Sequence, residues 1–455
     1  MLTLSGLRPM LVIGALVTAS LTVSTAPALA DGETCDGKPA TMVVSSTPAG
    51  SFPAVNGTSG DDVIVVTTPD DLTVNGLGGD DTICGAALTW MTGGAGNDEL
   101  WSGWFDPDDA YLGHMDGGKG DDVIHGNDNR QLIDGGTGND TILGGDGNDS
   151  ITGGTDLTTR TAPDEPDNDT IDAGPGNDYI VDDWGDDTFT GGSGLDHLAL
   201  GRASTDVDEG CDVIAANATL RVADGTVTGF GEDTFTGFEA YAGGTRKSTL
   251  IGTAGPDDLG SGDCGTTHLV GLGGADRLEG ESDGDGKEAG VISGNRGSDE
   301  ISFIGPYDIR AGRGHDRIRL TSSDFIDAFP GADIQGSRGV DWFTLDGFYP
   351  GEITDLDLRR GLKSRFRDKW LPIQGVENAR QTSHARSLGW DGTTRMTGTA
   401  GPNVLVGPPS TKKNRTVFRG LAGNDRLLGD RRDTAYGGSG RDFCRAGHRH
   451  GCERG

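Results

Sequence analysis

Apolar residues in this chain rarely cluster; they return singly, at a fixed place in a short repeated phrase. Leu100, Ile124, Ile142 and Ile151 each close an octet with glycine at places one, two and four and aspartate at place six. Gly93 to Leu100 is one copy, and the same grammar returns at 117–124, 135–142, 144–151, 191–198 and 437–443. Looser copies begin at Gly57, Gly76, Ala173, Gly252, Gly271, Gly294, Ala311, Gly336 and Gly420, and each keeps glycine fourth, aspartate sixth and an apolar residue eighth. Copies starting at 117, 126, 135, 144 and 153 advance in steps of nine, with Gln131 in place of one aspartate. A second phased run starts at 164, 173, 182 and 191 and places Ile171, Ile180, Phe189 and Leu198 eighth. Such phase-locking marks a repeat solenoid.

The glycines permit positive φ and a tight six-residue turn with carbonyls on one side. The last three residues predict a short strand whose middle side chain points inward and whose neighbours, such as Glu99, Trp101, His125, Leu143 and Thr152, point to solvent. Two nonapeptides then complete one coil, so that residues eighteen apart lie above one another. One buried Ile or Leu returns only about 1.5–3 kcal/mol, and a whole nonapeptide must be ordered for it. The stacked aspartates also repel. A hard dication removes the deficit: Ca2+ takes carboxylate and carbonyl oxygens in flexible geometry, whereas Mg2+ demands a strict octahedron.

These octets resemble the repeats-in-toxin (RTX, haemolysin-type) nonapeptide, a calcium-binding repeat. The resemblance implies an all-β fold, a right-handed parallel β-roll or β-solenoid, with several Ca2+ ions held between successive turns. Carried over by position, it makes Asp98, Asp122, Asp140, Asp149, Asp178, Asp187 and Asp196 metal ligands. Asp62, Asp81, Asp169, Asp257, Asp276, Asp299, Asp316, Asp341, Asp425 and Asp442 are the counterparts in looser copies. The chain departs from Gram-negative members in opening on an N-terminal signal, and looks more like the exported calcium-binding proteins of Gram-positive bacteria.

That signal is read over residues 1–30: Arg8, an apolar stretch from Met10 to Leu21, and Ala28-Leu29-Ala30 before Asp31. The stretch is short for a membrane span, so a secreted, extracellular protein without a span after signal removal is expected. A cap follows at 31–56, then calcium-binding repeats at 57–199 and an insert or metal-free coils at 200–251. Degenerate repeats occupy 252–344, a second insert or metal-free stretch with a basic run lies at 345–397, and terminal repeats with a cysteine-containing tail close the chain at 398–455. The two lapses resemble each other, each passing through a short alternating run (Leu220/Val222, Leu356/Leu358) and a Gly-x-Glu segment to Gly-Thr-Ala-Gly-Pro. We read them as coils in a duplicated arrangement, the alternative being two independent loops.

Charge narrows the partners. Lysine and arginine total 37 against 71 acidic residues, a net charge of −34, which argues against nucleic acid and for cations. Hydrophobic residues are 33% of the chain with 80 glycines, too lean for a large conventional core. Six cysteines in an exported chain suggest disulfides. Sequence does not choose among the pairings; the cysteines fall in three regional pairs where the repeat pattern stops, which favours Cys35–Cys84, Cys211–Cys264 and Cys444–Cys452.

No catalytic constellation is recognised. There is no H-E-x-x-H, and Gly280-Glu281-Ser282-Asp283-Gly284 matches G-x-S-x-G without a helix to follow. The basic run Arg359, Arg360, Lys363, Arg365, Arg367 and Lys369 reads first as a solvated face offsetting the negative field, and second as a docking site for an acidic polymer or a phosphate-rich surface; beside calcium, a cell-surface or matrix polymer is the expected partner. The expected function is a secreted, non-enzymatic calcium-binding repeat protein that folds and stiffens on extracellular Ca2+. The alternative is a secreted hydrolase or carbohydrate-binding protein that uses the repeats as scaffold, its chemistry confined to the two lapses.

Overall fold

A computed structural model describes residues 24–25, 33–45, 54–68, 72–85, 89–103, 113–154, 167–201, 217–229, 231–245, 247–262, 266–281, 290–305, 307–321, 333–346, 353–364, 370–381, 392–410 and 414–453. Among these residues there is no helix; short strands and turns alternate throughout. Cys211, Cys264, Trp104, most of the 1–30 segment, Ser282 to Gly284 and the basic residues Arg365, Arg367 and Lys369 lie outside the described residues.

The strands stack in parallel as two facing sheets, and each inward side chain sits on its counterpart one coil away. On the second face one column runs Val55, Val74, Met91, Met115, Ile133, Ile151, Ile180, Leu198, Tyr241 and Leu259. It continues through Leu278, Ile301, Ile318, Phe343, Ala379, Leu405, Leu427 and Cys444. The first face carries Met42, Ile64, Ile83, Leu100, Ile124, Ile142, Ile171, Phe189 and Phe235 in register. These columns form one continuous core, so a chain poor in apolar residues buries its inward-facing Ile and Leu, while leucines off the columns such as Leu77, Leu143 and Leu272 stay exposed. The stacked strands begin inside the 31–56 segment, at Met42–Val44 and Ala54–Asn56.

Both lapses are built alike. The second face passes through each without a break, from Leu198 to Tyr241 to Leu259 and from Phe343 to Ala379 to Leu405. The first face instead gains an antiparallel hairpin: Asn217–Arg221 with Thr226–Thr228 in one lapse, Ile353–Asp357 with Gly361–Ser364 in the other. In each, the first hairpin strand then pairs in parallel with the next coil, Lys247–Ile251 or Gly392–Thr397.

The N-terminal hairpin Thr34–Cys35/Lys38–Pro39 lies outside the first face and is joined to it by the Cys35–Cys84 disulfide. Cys35, Ala40 and Val65 form a small second core there, with Trp101 packed against it. Glu99 and Trp101, expected in solvent, are therefore half-covered. Glu99 accepts from Lys38 Nζ at 2.8 Å and from Trp101 Nε1 at 3.1 Å, and Trp101 stacks on His125 at 3.6 Å. A second disulfide, Cys444–Cys452, closes the last coil.

Place-four glycines are demanded twice over. Gly96, Gly120 and Gly138 have φ of 138°, 122° and 129°, and a Cβ on any of them would strike the carbonyl of the same place one coil back. Place-two glycines such as Gly94, Gly118 and Gly136 are also at positive φ and close against the preceding coil, at φ of 112° to 121°, whereas looser copies put Leu77, Leu272, Asn295, Ser337 and Leu421 there at φ between 66° and 84°. Gly120→Ala is expected to lower the unfolding midpoint, whereas Leu77→Gly should raise stability by about 1 kcal/mol by relieving the left-handed conformation. Thermal unfolding of the two variants reads both, and equal midpoints would contradict this packing.

Candidate metal centre

Each octet turn leads into a strand, and the sixth-place aspartate sits at that junction with its side chain folded inward. On the first edge the backbone N–H of Asp62 donates to Asp81 Oδ1 at 2.7 Å, Asp81 to Asp98 at 2.7 Å, Asp98 to Asp122 at 2.6 Å and Asp122 to Asp140 at 2.8 Å. Asp140 donates to Asp169, Asp169 to Asp187 and Asp187 to Asp233 at 2.7–3.0 Å. The opposite edge carries a second ladder through Gln131, Asp149, Asp178, Asp196 and Glu239. It resumes at Asp257 through Asp276, Asp299, Asp316, Asp341 and Glu377, and again from Asn403 to Asp425 and Asp442.

The structure thus brings the expected residues together along two edges, but not uniformly. Both edges carry aspartate ladders only around 113–201. Elsewhere a coil has one octet turn and one plain turn, and inserts widen the eighteen-residue spacing, for instance to 24 from Asp98 to Asp122 and 29 from Asp140 to Asp169.

The second carboxylate oxygen decides the chemistry. Of the seventeen aspartates expected as ligands, all but Asp62 and Asp257 have a buried Oδ2 with no hydrogen-bond partner. Asp62 and Asp257 differ because their copies begin Gly-Thr: the N–H of Thr58 or Thr253 donates to Oδ2 at 2.6 or 2.7 Å. The third Gly-Thr copy satisfies Asn403 in the same way through Thr399, and Asn127 does so for Gln131. These four turns are complete in themselves.

In several of the remaining turns the orphaned oxygen faces a carbonyl. Beside the Cα of Gly93, Asp98 Oδ2 converges with the Gly117 carbonyl; beside Gly117, Asp122 Oδ2 meets that of Gly135; beside Gly420, Asp425 Oδ2 meets that of Gly437. Carboxylate and carbonyl oxygens without a donor between them form a set suited to a hard cation. At Gly93, Gly117 and Gly420 a Cβ would fill that space, although the copies at 173 and 311 carry alanine at place one.

Burial, and secondarily the neighbouring carboxylates, pushes these groups well above the usual range. Asp98 is raised to about 6, Asp140 and Asp187 to about 7, Asp122 and Asp149 to about 8 and Asp169 to about 10. If ionised at a coil spacing of about 4.8 Å, each neighbouring pair repels by about 3 kcal/mol at an effective dielectric of about 20. That matches or exceeds what one inward Ile contributes. Ionised and without a cation, the ladder opposes the fold it lines.

Two features escaped the octet reading. The fifth place carries its own ladder, running the other way: Asn97 N–H donates to Asp80 Oδ1, Asp121 to Asn97, Asn139 to Asp121 and Asn168 to Asn139 at 2.9–3.0 Å. Its signal was the recurrent Asn or Asp before the ligand position. Glu239 and Glu377 take over the sixth-place role inside the lapses, and the shared Gly-x-Glu segment was their signal.

The family described as RTX calcium-binding nonapeptide repeat (4 copies) matches residues 90–106, 114–130, 128–156, 165–198 and 419–447. The chain carries repeats of this calcium-binding type. The matched segments stop at 198 and resume at 419, yet Asp276, Asp299, Asp316 and Asp341 between them keep the same ladder geometry. No curated protein matches the chain.

The raised values fix the sign of a pH effect. In metal-free protein the folded form holds these protons more tightly than the unfolded chain, whose aspartates titrate near about 4. Their contribution to stability is complete below that value and is lost as pH rises through about 6 to 10, most of it by about 8. Metal-free protein should therefore keep its far-UV β signal near pH 5 and lose it towards pH 8. A signal independent of pH would contradict the burial of these carboxylates.

Proposed function

We propose, from a chain that carries RTX calcium-binding nonapeptide repeats, a secreted and non-enzymatic protein that folds and stiffens when it meets extracellular calcium. The observation that carries this reading is the row of buried, orphaned Oδ2 atoms facing carbonyl oxygens. Asp81, Asp98, Asp122, Asp140, Asp169 and Asp187 would hold ions on the first edge. Asp149, Asp178, Asp196, Asp276, Asp299, Asp316, Asp341, Asp425 and Asp442 would do so on the second. Bound calcium supplies the positive charge that cancels repulsion along each ladder. The protein's own part is to fix one oxygen of each carboxylate on the backbone N–H of the adjacent coil and aim the other at the shared space.

Asp62 and Asp257 fit less well, because their turns are already satisfied; in our reading the Gly-Thr copies open each block of coils without an ion. The disulfides Cys35–Cys84 and Cys444–Cys452 support an oxidising destination and pin the two ends of the stack. An acidic, calcium-stiffened rod suits a surface or matrix component, with a cell-surface or matrix polymer as partner.

Two measurements test this. Chelated protein at neutral pH should show little β signal and gain it cooperatively with Ca2+ but not with Mg2+; a flat titration would remove the reading. Calorimetry should show that Asp140→Ala weakens first-edge sites shared with Asp122, while Asp149→Ala affects the other edge. Unchanged stoichiometry and affinity in both would overturn the ligand assignment.

A further inference from the structure

The octet beginning at 182 breaks the rule for place one. It reads Asp182-Asp183-Trp184-Gly185-Asp186-Asp187, so aspartate stands where most copies carry glycine and a few alanine. In an ordinary turn that position faces the orphaned sixth-place oxygen and the next coil's carbonyl, and a side chain there would fill the ion's space. Here the side chain is itself a carboxylate.

Asp182 ends the strand Tyr179–Asp182, paired with Leu200, and its carbonyl accepts from Gly201 N–H at 2.8 Å. The residue is wholly enclosed, 0% exposed, and neither carboxylate oxygen has a hydrogen-bond partner. Its carboxylate converges with those of Asp187 and Asp233, one oxygen of each lying within 4.8 Å of the others. Asp187 Oδ1 already accepts from Asp169 N–H at 2.7 Å, and Asp233 Oδ1 from Asp187 N–H at 3.0 Å. Their Oδ2 atoms are orphaned. Both oxygens of Asp182 and one each of its two neighbours are therefore buried without a hydrogen-bond partner, and one oxygen of each residue converges on the others. Burial first, and the neighbouring carboxylates next, raise all three groups, Asp187 and Asp233 to about 7; the charged neighbours acting on them are all acidic.

We propose that Asp182, Asp187 and Asp233 form a cation site of a second kind, a three-carboxylate pocket for calcium or a similarly hard cation, tighter than the repeat sites. The inference rests on the calcium reading above and adds a residue pattern that the repeat grammar lacks. An ordinary turn offers one orphaned carboxylate oxygen, whereas this pocket offers three negative charges, and carboxylate count is a main determinant of calcium affinity. Its place in the chain gives it a task. Asp182 and Asp187 belong to the last coils before the first lapse; Asp233 lies on Glu232–Thr236, where the chain returns to the first face. A cation here clasps the returning strand onto the coil it left.

The test uses full-length protein, Ca2+ calorimetry and Tb3+ luminescence sensitised by tryptophan, since Trp184 lies in the same turn. Two variants are compared: Asp182→Asn, which keeps the shape and removes one charge, and Asp182→Gly, which restores the usual place-one glycine. Wild type should show a Ca2+ class at least tenfold tighter than the repeat sites, with early-saturating Tb3+ emission. Both variants should lose that class while the remaining sites and the calcium-loaded far-UV signal persist. Wild-type-like titrations in both variants, or no tighter class in wild type, would overturn the three-carboxylate site and leave the repeat reading standing. Absence of any Ca2+ binding by wild type would remove both.

Discussion

Most coils are ordered by one divided carboxylate. A sixth-place aspartate gives one oxygen to the backbone N–H of the adjacent coil, and this bond sets the stacking register. The other oxygen lies buried beside a carbonyl with nothing to donate to it. Structural order and electrostatic cost therefore reside in the same side chain. The fifth-place ladder reinforces the arrangement by bonding in the reverse direction, so that adjacent turns are tied from both sides.

This division also explains where the array stops. A threonine at place two offers its N–H to the sixth-place oxygen, so a turn of this kind has no orphaned oxygen. The Gly-Thr copies at 57, 252 and 398 open the three blocks of coils and are of that type. The lapses keep the second-face column intact and place their extra hairpins on the first face, so apolar stacking carries the fold across stretches where one ladder is interrupted. The Asp182 pocket lies at the first of these transitions, where the returning strand is separated from its partner by a long excursion.

Much of this was legible because the octet couples backbone geometry to side-chain role. Fourth-place glycine, sixth-place aspartate and eighth-place apolar residue each answer a local demand, so Leu100, Ile124 and Asp122 fall where the pattern puts them. What stayed hidden depends on neighbours distant in sequence. That Trp101 is half-covered follows from a hairpin tied on by Cys35, and that Asp62 differs from Asp81 follows from one threonine N–H. Asp233 and Glu239 entered the ladders through coils whose spacing an insert had stretched beyond eighteen residues, which no fixed period reveals.

Hydrogen exchange at the sixth-place amides reads the central claim most directly, because each of those N–H groups is bonded to the carboxylate in question. The amides of Asp98, Asp122, Asp140 and Asp149 should be strongly protected in calcium and exchange nearly as fast as an unfolded chain after chelation at neutral pH. Equal protection with and without the ion would contradict the account, since the ladder would then be holding itself together with its second oxygens bare.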